Sequence, residues 1–241
     1  MIEVNDLHKS FKAVHALRGV SFTAPDGEVT GLIGPNGAGK TTTLRILYTV
    51  LTPDRGSAAV DGFDVRASAR EVQRRIGVLA DARGLYPRLT SREHIRYFGR
   101  LHGLKGADLE RRIDRLIDML DMGAIADRFA HGFSKGQSMK VALARALVHH
   151  PPNLLLDEPT AGLDVASARA TRALIRRIRD EGRCVLFTSH IMQEVGALCD
   201  KLVVIGEGLV RANGTPDELR RATGKADLEE AFMSATGTGE E

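Results

Sequence analysis

The chain has little cysteine, no long apolar run and no strong excess of charge, and each lack narrows what it can be. Its two cysteines, Cys184 and Cys199, are separated by 14 residues and match no zinc or redox spacing. Cys184 lies in the apolar run Cys184-Val185-Leu186-Phe187 and reads as a small buried hydrophobe, which suits a reducing cytoplasm. No stretch approaches the ~18 consecutive apolar residues of a membrane helix. Met1-Ile2-Glu3-Val4-Asn5-Asp6 has no basic region leading into an apolar one, so no signal peptide is expected. A role at a membrane would therefore run through a partner. The net charge is only +3, from 34 Lys and Arg against 31 Asp and Glu. No basic stripe with interleaved aromatics occurs, so a nucleic-acid partner is not expected. No internal repeat is visible.

Hydrophobic residues make up 43% of the 241 positions, enough to bury the core of one large α/β domain or two unequal subdomains. Residues 2–32 read as short strands with polar turns: Phe11-Lys12-Ala13-Val14 leads into Gly19-Val20-Ser21-Phe22, and Pro25-Asp26-Gly27 turns the chain. Val29 to Ile33 is a compact apolar strand, and a Gly-rich loop and a helix from about Thr41 to Leu51 follow it. Thr90-Ser91-Arg92-Glu93 is a capping box opening a helix that carries Ile95, Phe98 and Leu101. Ile113, Leu116, Ile117 and Leu120 repeat at helical spacing. A helix from Lys135 to His149, the stop Pro151-Pro152, a strand at Leu154-Leu155-Leu156, a helix to about Asp180 and a strand from Cys184 to Thr188 then alternate. That alternation predicts a largely parallel sheet covered by helices. Lys201–Ile205 and Gly208–Ala212 form a hairpin, Thr215-Pro216-Asp217-Glu218 opens another helix, and the chain is expected to fray after Met233.

Gly34-Pro35-Asn36-Gly37-Ala38-Gly39-Lys40-Thr41 fits G-x-x-x-x-G-K-[ST] at every position, between a strand and a helix as that motif requires. Its glycines let backbone N–H groups converge on phosphate oxygens, and the following helix turns its positive end to the same anion. Lys40 is expected on the β- and γ-phosphates and Thr41 on Mg²⁺, with Thr42 beside it. Leu154-Leu155-Leu156-Asp157-Glu158 sets two acids at the C-terminal end of a buried strand, where ligands of α/β sheets bind. Asp157 suits Mg²⁺, and Glu158 suits orienting or deprotonating an attacking water. Phe133-Ser134-Lys135-Gly136-Gln137 begins the next helix. Ser134 reads as an N-cap, yet the same helix start offers a second anion site. Two anion sites about a hundred residues apart suggest one nucleotide shared between two chains.

In this order and spacing, the phosphate loop at Gly34, the loop at Ser134, Asp157-Glu158, Ala161-Gly162-Leu163-Asp164 and His190 resemble the nucleotide-binding subunit of ATP-binding-cassette (ABC) transporters across nearly the whole chain. The resemblance implies an α/β P-loop ATPase fold with a RecA-like, mostly parallel core sheet. It adds an N-terminal antiparallel β-subdomain and an inserted α-helical subdomain. Residues 1–87 and 152–220 would form the ATP-binding core, 88–151 the helical insertion and 221–241 a C-terminal helix and tail. It also implies ATP and Mg²⁺ as ligands, and Phe11 stacked on adenine, although Phe11 alone reads as a strand core residue. Ser134, Lys135, Gly136 and Gln137 would meet the ATP of a second chain, either another copy or a homologous cassette. Asp164 would lie at that dimer interface and His190 against the γ-phosphate.

Two positions depart from the family pattern. Asp81 stands where a glutamine near Mg²⁺ and the membrane partner is usual, keeping an oxygen ligand but adding negative charge. Lys135 replaces a common glycine and is expected to point to solvent. Asp81 to Thr90 and Leu228-Glu229-Glu230-Ala231-Phe232 resemble the branch of bacterial sodium-extrusion and drug-export ATPase subunits, Asp81 being most like the sodium group. These imply an ATPase on the cytoplasmic face of the bacterial inner membrane, powering a separate membrane subunit that exports Na⁺ or, alternatively, a drug or small hydrophobic molecule. ABC-type ATPases that act on DNA or ribosomes usually carry a long coiled coil, zinc-binding cysteines or a second cassette, none of which is in this sequence. Asp81-Ala82-Arg83-Gly84 fits D-x-x-G, but no N-K-x-D follows to read guanine.

Overall fold

The computed structural model describes residues 1–80 and 84–237. Its first layer is an antiparallel sheet in the order β2-β1-β4-β5, from β1 (Ile2–Phe11), β2 (Val14–Ala24), β4 (Arg55–Val60) and β5 (Phe63–Asp64). Ile2, Val4 and Leu7 of β1 are buried against Val20, Phe22, Ala58 and Val60. One face of this sheet therefore packs inward, as antiparallel sheets commonly do.

The second sheet runs β10-β9-β3-β8-β7-β6 and is parallel except for β10. Its strands are β3 (Val29–Ile33), β6 (Ile76–Leu79), β7 (Asn153–Asp157), β8 (Cys184–Ser189), β9 (Lys201–Gly206) and β10 (Leu209–Gly214). Every residue of β3, β7 and β8 is buried, which is how strands covered on both faces read. Register sets the site: Ile33 lies beside Ser189, and Asp157 beside Thr188. The C-terminal ends of three adjacent strands thus finish level, within about 10 Å at ~4.8 Å per strand.

Between β6 and β7 the chain forms α3 (Ser91–Leu101), α4 (Gly106–Met119) and α5 (Lys135–Leu147). The capping box at Thr90 and Glu93 is formed, and Ile95 is buried while Leu101 is 65% exposed, so Leu101 faces water rather than the expected core. Ile113, Leu116, Ile117 and Leu120 are all buried, as their spacing requires. Seven of the thirteen residues of α5 are buried, fixing it between α3, α4 and the sheet.

The remaining helices are α1 (Lys40–Leu47), α2 (Ala69–Arg75), α6 (Val165–Asp180), α7 (Met192–Leu198), α8 (Pro216–Thr223) and α9 (Leu228–Thr236). Helix α1 stops before Leu51 because the N–H groups of Val50 and Leu51 both turn back to Arg45 O across Thr49, whose φ is 65°. Helix α9 continues past Met233: Asp227 caps it, and Leu228 and Ala231 are buried against the β9 side. Among the described residues no helix is long and apolar enough to cross a membrane.

Candidate active site

Gly34 leaves β3 where no side chain fits, since a Cβ there would meet Ile205 O at 2.2 Å. Gly39 takes φ 112° and closes on Ala16 O, which a Cβ would approach to 2.7 Å. Both positions require glycine, and together they bend the loop over the start of α1. Lys40 is buried and donates from Nζ to Gly34 O (2.7 Å) and Pro35 O (3.0 Å). Burial lowers its proton affinity, and the nearby carboxylates of Glu158 and Asp157 oppose that.

Asp157, 2% exposed, ends β7. Its Oδ1 accepts from Thr188 Oγ1 at 2.6 Å and lies 3.5 Å from Thr41 Oγ1. A hydroxyl and a carboxylate oxygen 3.5 Å apart form a hard-oxygen pair, and such a pair fits Mg²⁺. Glu158 follows at φ 49°, a left-handed conformation that costs a non-glycine residue about 1 kcal/mol or more. Its N–H donates to Thr188 Oγ1 at 3.1 Å. This turn swings the Glu158 side chain out of the strand toward His190, whose Nδ1 lies 2.8 Å from Oε1.

These groups line a cleft of about 390 Å³ bounded by Asn36 to Thr42, Asp157, Glu158, Ala161 and His190. Gly34 and Pro35 stand behind it as carbonyl acceptors of Lys40. The cleft does not include Phe11, Ser134 to Gln137 or Asp164. Phe11 is 43% exposed at the end of β1, with Lys9 Nζ 5.7 Å from its ring, so it is not the core residue its strand suggested. Asp81 lies outside the described residues.

Ser134 caps α5 reciprocally with Gln137: Gln137 N–H donates to Ser134 Oγ (3.2 Å), and Ser134 N–H donates to Gln137 Oε1 (3.1 Å). The hydroxyl accepts in this box and so keeps its own proton to donate elsewhere. Gly136 is tight, since a Cβ would meet Ser167 Oγ at 2.8 Å. Lys135 is exposed, as expected, but its stem lies along Gly162, where a Cβ would come 3.0 Å from Nζ. Asp164 caps α6, accepting from Ser167 N–H at 2.9 Å and Oγ–H at 2.8 Å, and these bonds hold its carboxyl below the usual range.

Two features were missed from the sequence. Thr188 clamps Asp157 and the Glu158 backbone, and the only hint was a hydroxyl at the end of an apolar run. Glu194, 7% exposed on α7, gathers Thr160 Oγ1, Ser189 Oγ (3.5 Å) and Arg172 Nη1 (3.8 Å). It ties the segment after Glu158 to the one carrying His190. Cys184 is buried as expected, with its thiol pushed up to about 12 by burial. Among the described residues no cluster of three or more His, Cys, Asp or Glu side chains could hold a metal.

The family model described as ABC transporter matches residues 17–161. The chain is 44% identical over 239 residues to the ABC transporter ATP-binding protein NatA of Bacillus subtilis, covering 97% of each. It is 38% identical over 223 residues to the daunorubicin/doxorubicin resistance ATP-binding protein DrrA of Streptomyces peucetius, covering 92% of this chain and 68% of that one. A solved ATP-binding subunit of an ABC transporter superposes with a TM-score of 0.90 at 32% identity, covering 98% of this chain and 99% of that one. The two sheets, the helices between β6 and β7, the phosphate loop and this extent of likeness agree: the chain belongs to the ABC transporter family as an ATP-binding cassette and is an ATPase.

Proposed function

We propose that the cleft binds Mg·ATP and hydrolyses it between two cassettes, and that the cycle powers export through a separate membrane subunit. The observation that carries this is the convergence of Lys40, Thr41, Asp157, Glu158 and His190 in one cleft that none of Ser134 to Gln137 lines. In this reading Lys40 exchanges its loop carbonyls for β- and γ-phosphate oxygens, and the loop N–H groups hold the triphosphate in line. Thr41 and Asp157 would hold Mg²⁺, which supplies charge neutralisation across the β- and γ-phosphates. Glu158 takes a proton from the attacking water, and His190, hydrogen-bonded to it, holds the carboxylate and faces the γ-phosphate. Phe11, exposed on its strand end, stacks on adenine.

A second cassette completes the site. Its Ser134 hydroxyl and Gly136 N–H, at the positive end of α5, close on the γ-phosphate, with Lys135 and Gln137 alongside and Asp164 at the seam. ATP therefore binds the closed pair better than the open one and shifts the population toward it. The membrane subunit docks by a groove of about 400 Å³ bounded by Ile76, Ala80, Phe98, Arg145 and His149, which reaches the residue preceding Asp81. This sets the protein on the cytoplasmic face of a bacterial inner membrane. We assign Na⁺ as the exported ion on the strength of Asp81 and the C-terminal motif. Co-purification with the six-helix membrane protein expected from the neighbouring reading frame, followed by ATP-driven ²²Na⁺ uptake into inverted vesicles, tests it. Uptake that needs ATP and fails in Lys40→Ala supports the assignment. ATP turnover without Na⁺ movement refutes the ion and leaves the ATPase reading intact.

A further inference from the structure

At the end of the parallel sheet away from the ATP cleft lies a second concavity of about 510 Å³. Arg183, which lines it, immediately precedes β8, whereas His190 immediately follows that strand. Six residues at ~3.3 Å each set the two sites about 20 Å apart. Arg112 and Arg115 of α4, Arg177 of α6, Arg183 and His150 all line this concavity, and among the described residues Glu181 is the one acid that does. Four guanidinium groups against one carboxylate leave an excess of three positive charges, drawn from elements distant in sequence.

Part of the cluster has a structural partner. Arg183 reaches Glu181 at 2.7 Å and His150 Nδ1 at 2.6 Å, and Arg112 donates to Val148 O at 3.3 Å, at the C-terminal end of α5. The Arg112 contact satisfies a helix end. These contacts do not involve Arg115, and they leave Arg177 only a long ion pair, its Nε 3.8 Å from Glu181. Burial, Arg183 and Arg112 all lower the proton affinity of His150, and Glu181 only partly offsets them, so the imidazole sits in a net positive field. The floor is apolar, formed by Leu116, Met119 and Ile178.

We propose that this concavity binds a phosphate monoester carrying an apolar body, the phosphate clasped by Arg115 and Arg177 and the body lying on the Leu116–Met119–Ile178 floor. Arginine rather than lysine at all four positions favours planar, bidentate recognition of phosphate oxygens. An apolar floor lowers the local dielectric and strengthens each of those bonds. The ligand is a soluble organic phosphate or the headgroup of an acidic phospholipid, two sources of the same chemistry. Through α5 and α6, whose other ends carry Ser134 and Asp164, the site is joined by rigid elements to the dimer-facing loops.

The test uses full-length protein saturated with Mg·ADP, so that the phosphate loop is occupied. Phenyl phosphate is titrated in, read by calorimetry and by the His150 imidazole NMR signal. In parallel, phosphatidylcholine vesicles with or without phosphatidic acid are sedimented with the protein. Arg115 and Arg177 are both exposed, so the R115Q/R177Q variant keeps its fold, checked by thermal melting. The expected result is saturable binding in at least one arm, weakened about tenfold or more in the variant, as loss of charge-assisted bonds implies. A positive phenyl phosphate arm identifies a soluble ligand, and a positive arm only with phosphatidic acid identifies a headgroup. Absence of binding in both arms, or binding indifferent to R115Q/R177Q, overturns the proposal.

Discussion

Thr188→Val removes one hydroxyl and leaves the shape of a fully buried side chain almost unchanged. In the wild type that hydroxyl donates to Asp157 at 2.6 Å and accepts from Glu158 N–H at 3.1 Å. A bond to a charged carboxylate contributes about 1.5–3 kcal/mol, and an orphaned buried N–H costs a further 1–3 kcal/mol. Allowing for overlap, the substitution should destabilise by about 3 kcal/mol. At roughly 2–4 °C per kcal/mol for a domain of this size, the melting temperature falls by about 6–12 °C. Asp157 and the left-handed Glu158 also lose their anchor, so ATP turnover should fall by more than Mg·ATP affinity. Thr188→Ser is the control: it keeps both bonds and loses one methyl, about 1 kcal/mol. Urea unfolding of the three proteins decides it. Thr188→Val within about 0.5 kcal/mol of wild type, or Thr188→Ser less stable than Thr188→Val, refutes the clamp.

Gly39→Ala meets both φ 112° and a carbonyl at 2.7 Å, so it should abolish fluorescent-nucleotide binding while Gly37→Ala, with open space at its Cβ, binds more strongly than Gly39→Ala. Glu158→Gln should lower ATP turnover by about 10²–10⁴-fold, the contribution of a general base, in a phosphate-release assay, with nucleotide affinity retained. His149 is driven down to about 4 by burial and by the stacked His102 ring 3.5 Å away. The folded state then binds its proton less readily than the unfolded state, so stability is full above pH 6.5 and falls on acidification toward pH 4. The loss is up to about 3 kcal/mol. Urea midpoints at pH 7.5 and 4.5 should converge in His149→Gln relative to wild type.

The features legible in the sequence are those whose causes are local. Thr90, Ser134 and Thr215 each form a reciprocal capping box with the residue three positions on. The phosphate loop is one continuous turn between β3 and α1, and Asp157-Glu158 follow the apolar run Leu154-Leu155-Leu156 of a fully buried strand. Phe11 and Leu101 misled because exposure depends on what packs above a strand end or a helix face. The stretch from β4 to β6 carries weak periodicity, and the pairing of β4 with β1 spans about fifty residues. Thr188 and Glu194 escaped notice for the same reason: Thr188 meets Asp157, and Glu194 meets Thr160, across about thirty residues and only when β7 and β8 pair.

The central claim is that one ATP is held by the Gly34–Thr41 loop of one chain and the Ser134–Gln137 loop of another. The direct test is the solution mass of Glu158→Gln with Mg·ATP, by light scattering, with and without a second substitution, Ser134→Arg. The account predicts a species of twice the 26.1 kDa chain mass for Glu158→Gln alone. It predicts a monomer that still binds one ATP for the double variant. A Glu158→Gln protein that stays monomeric on ATP, or a double variant that dimerises as readily, would contradict it.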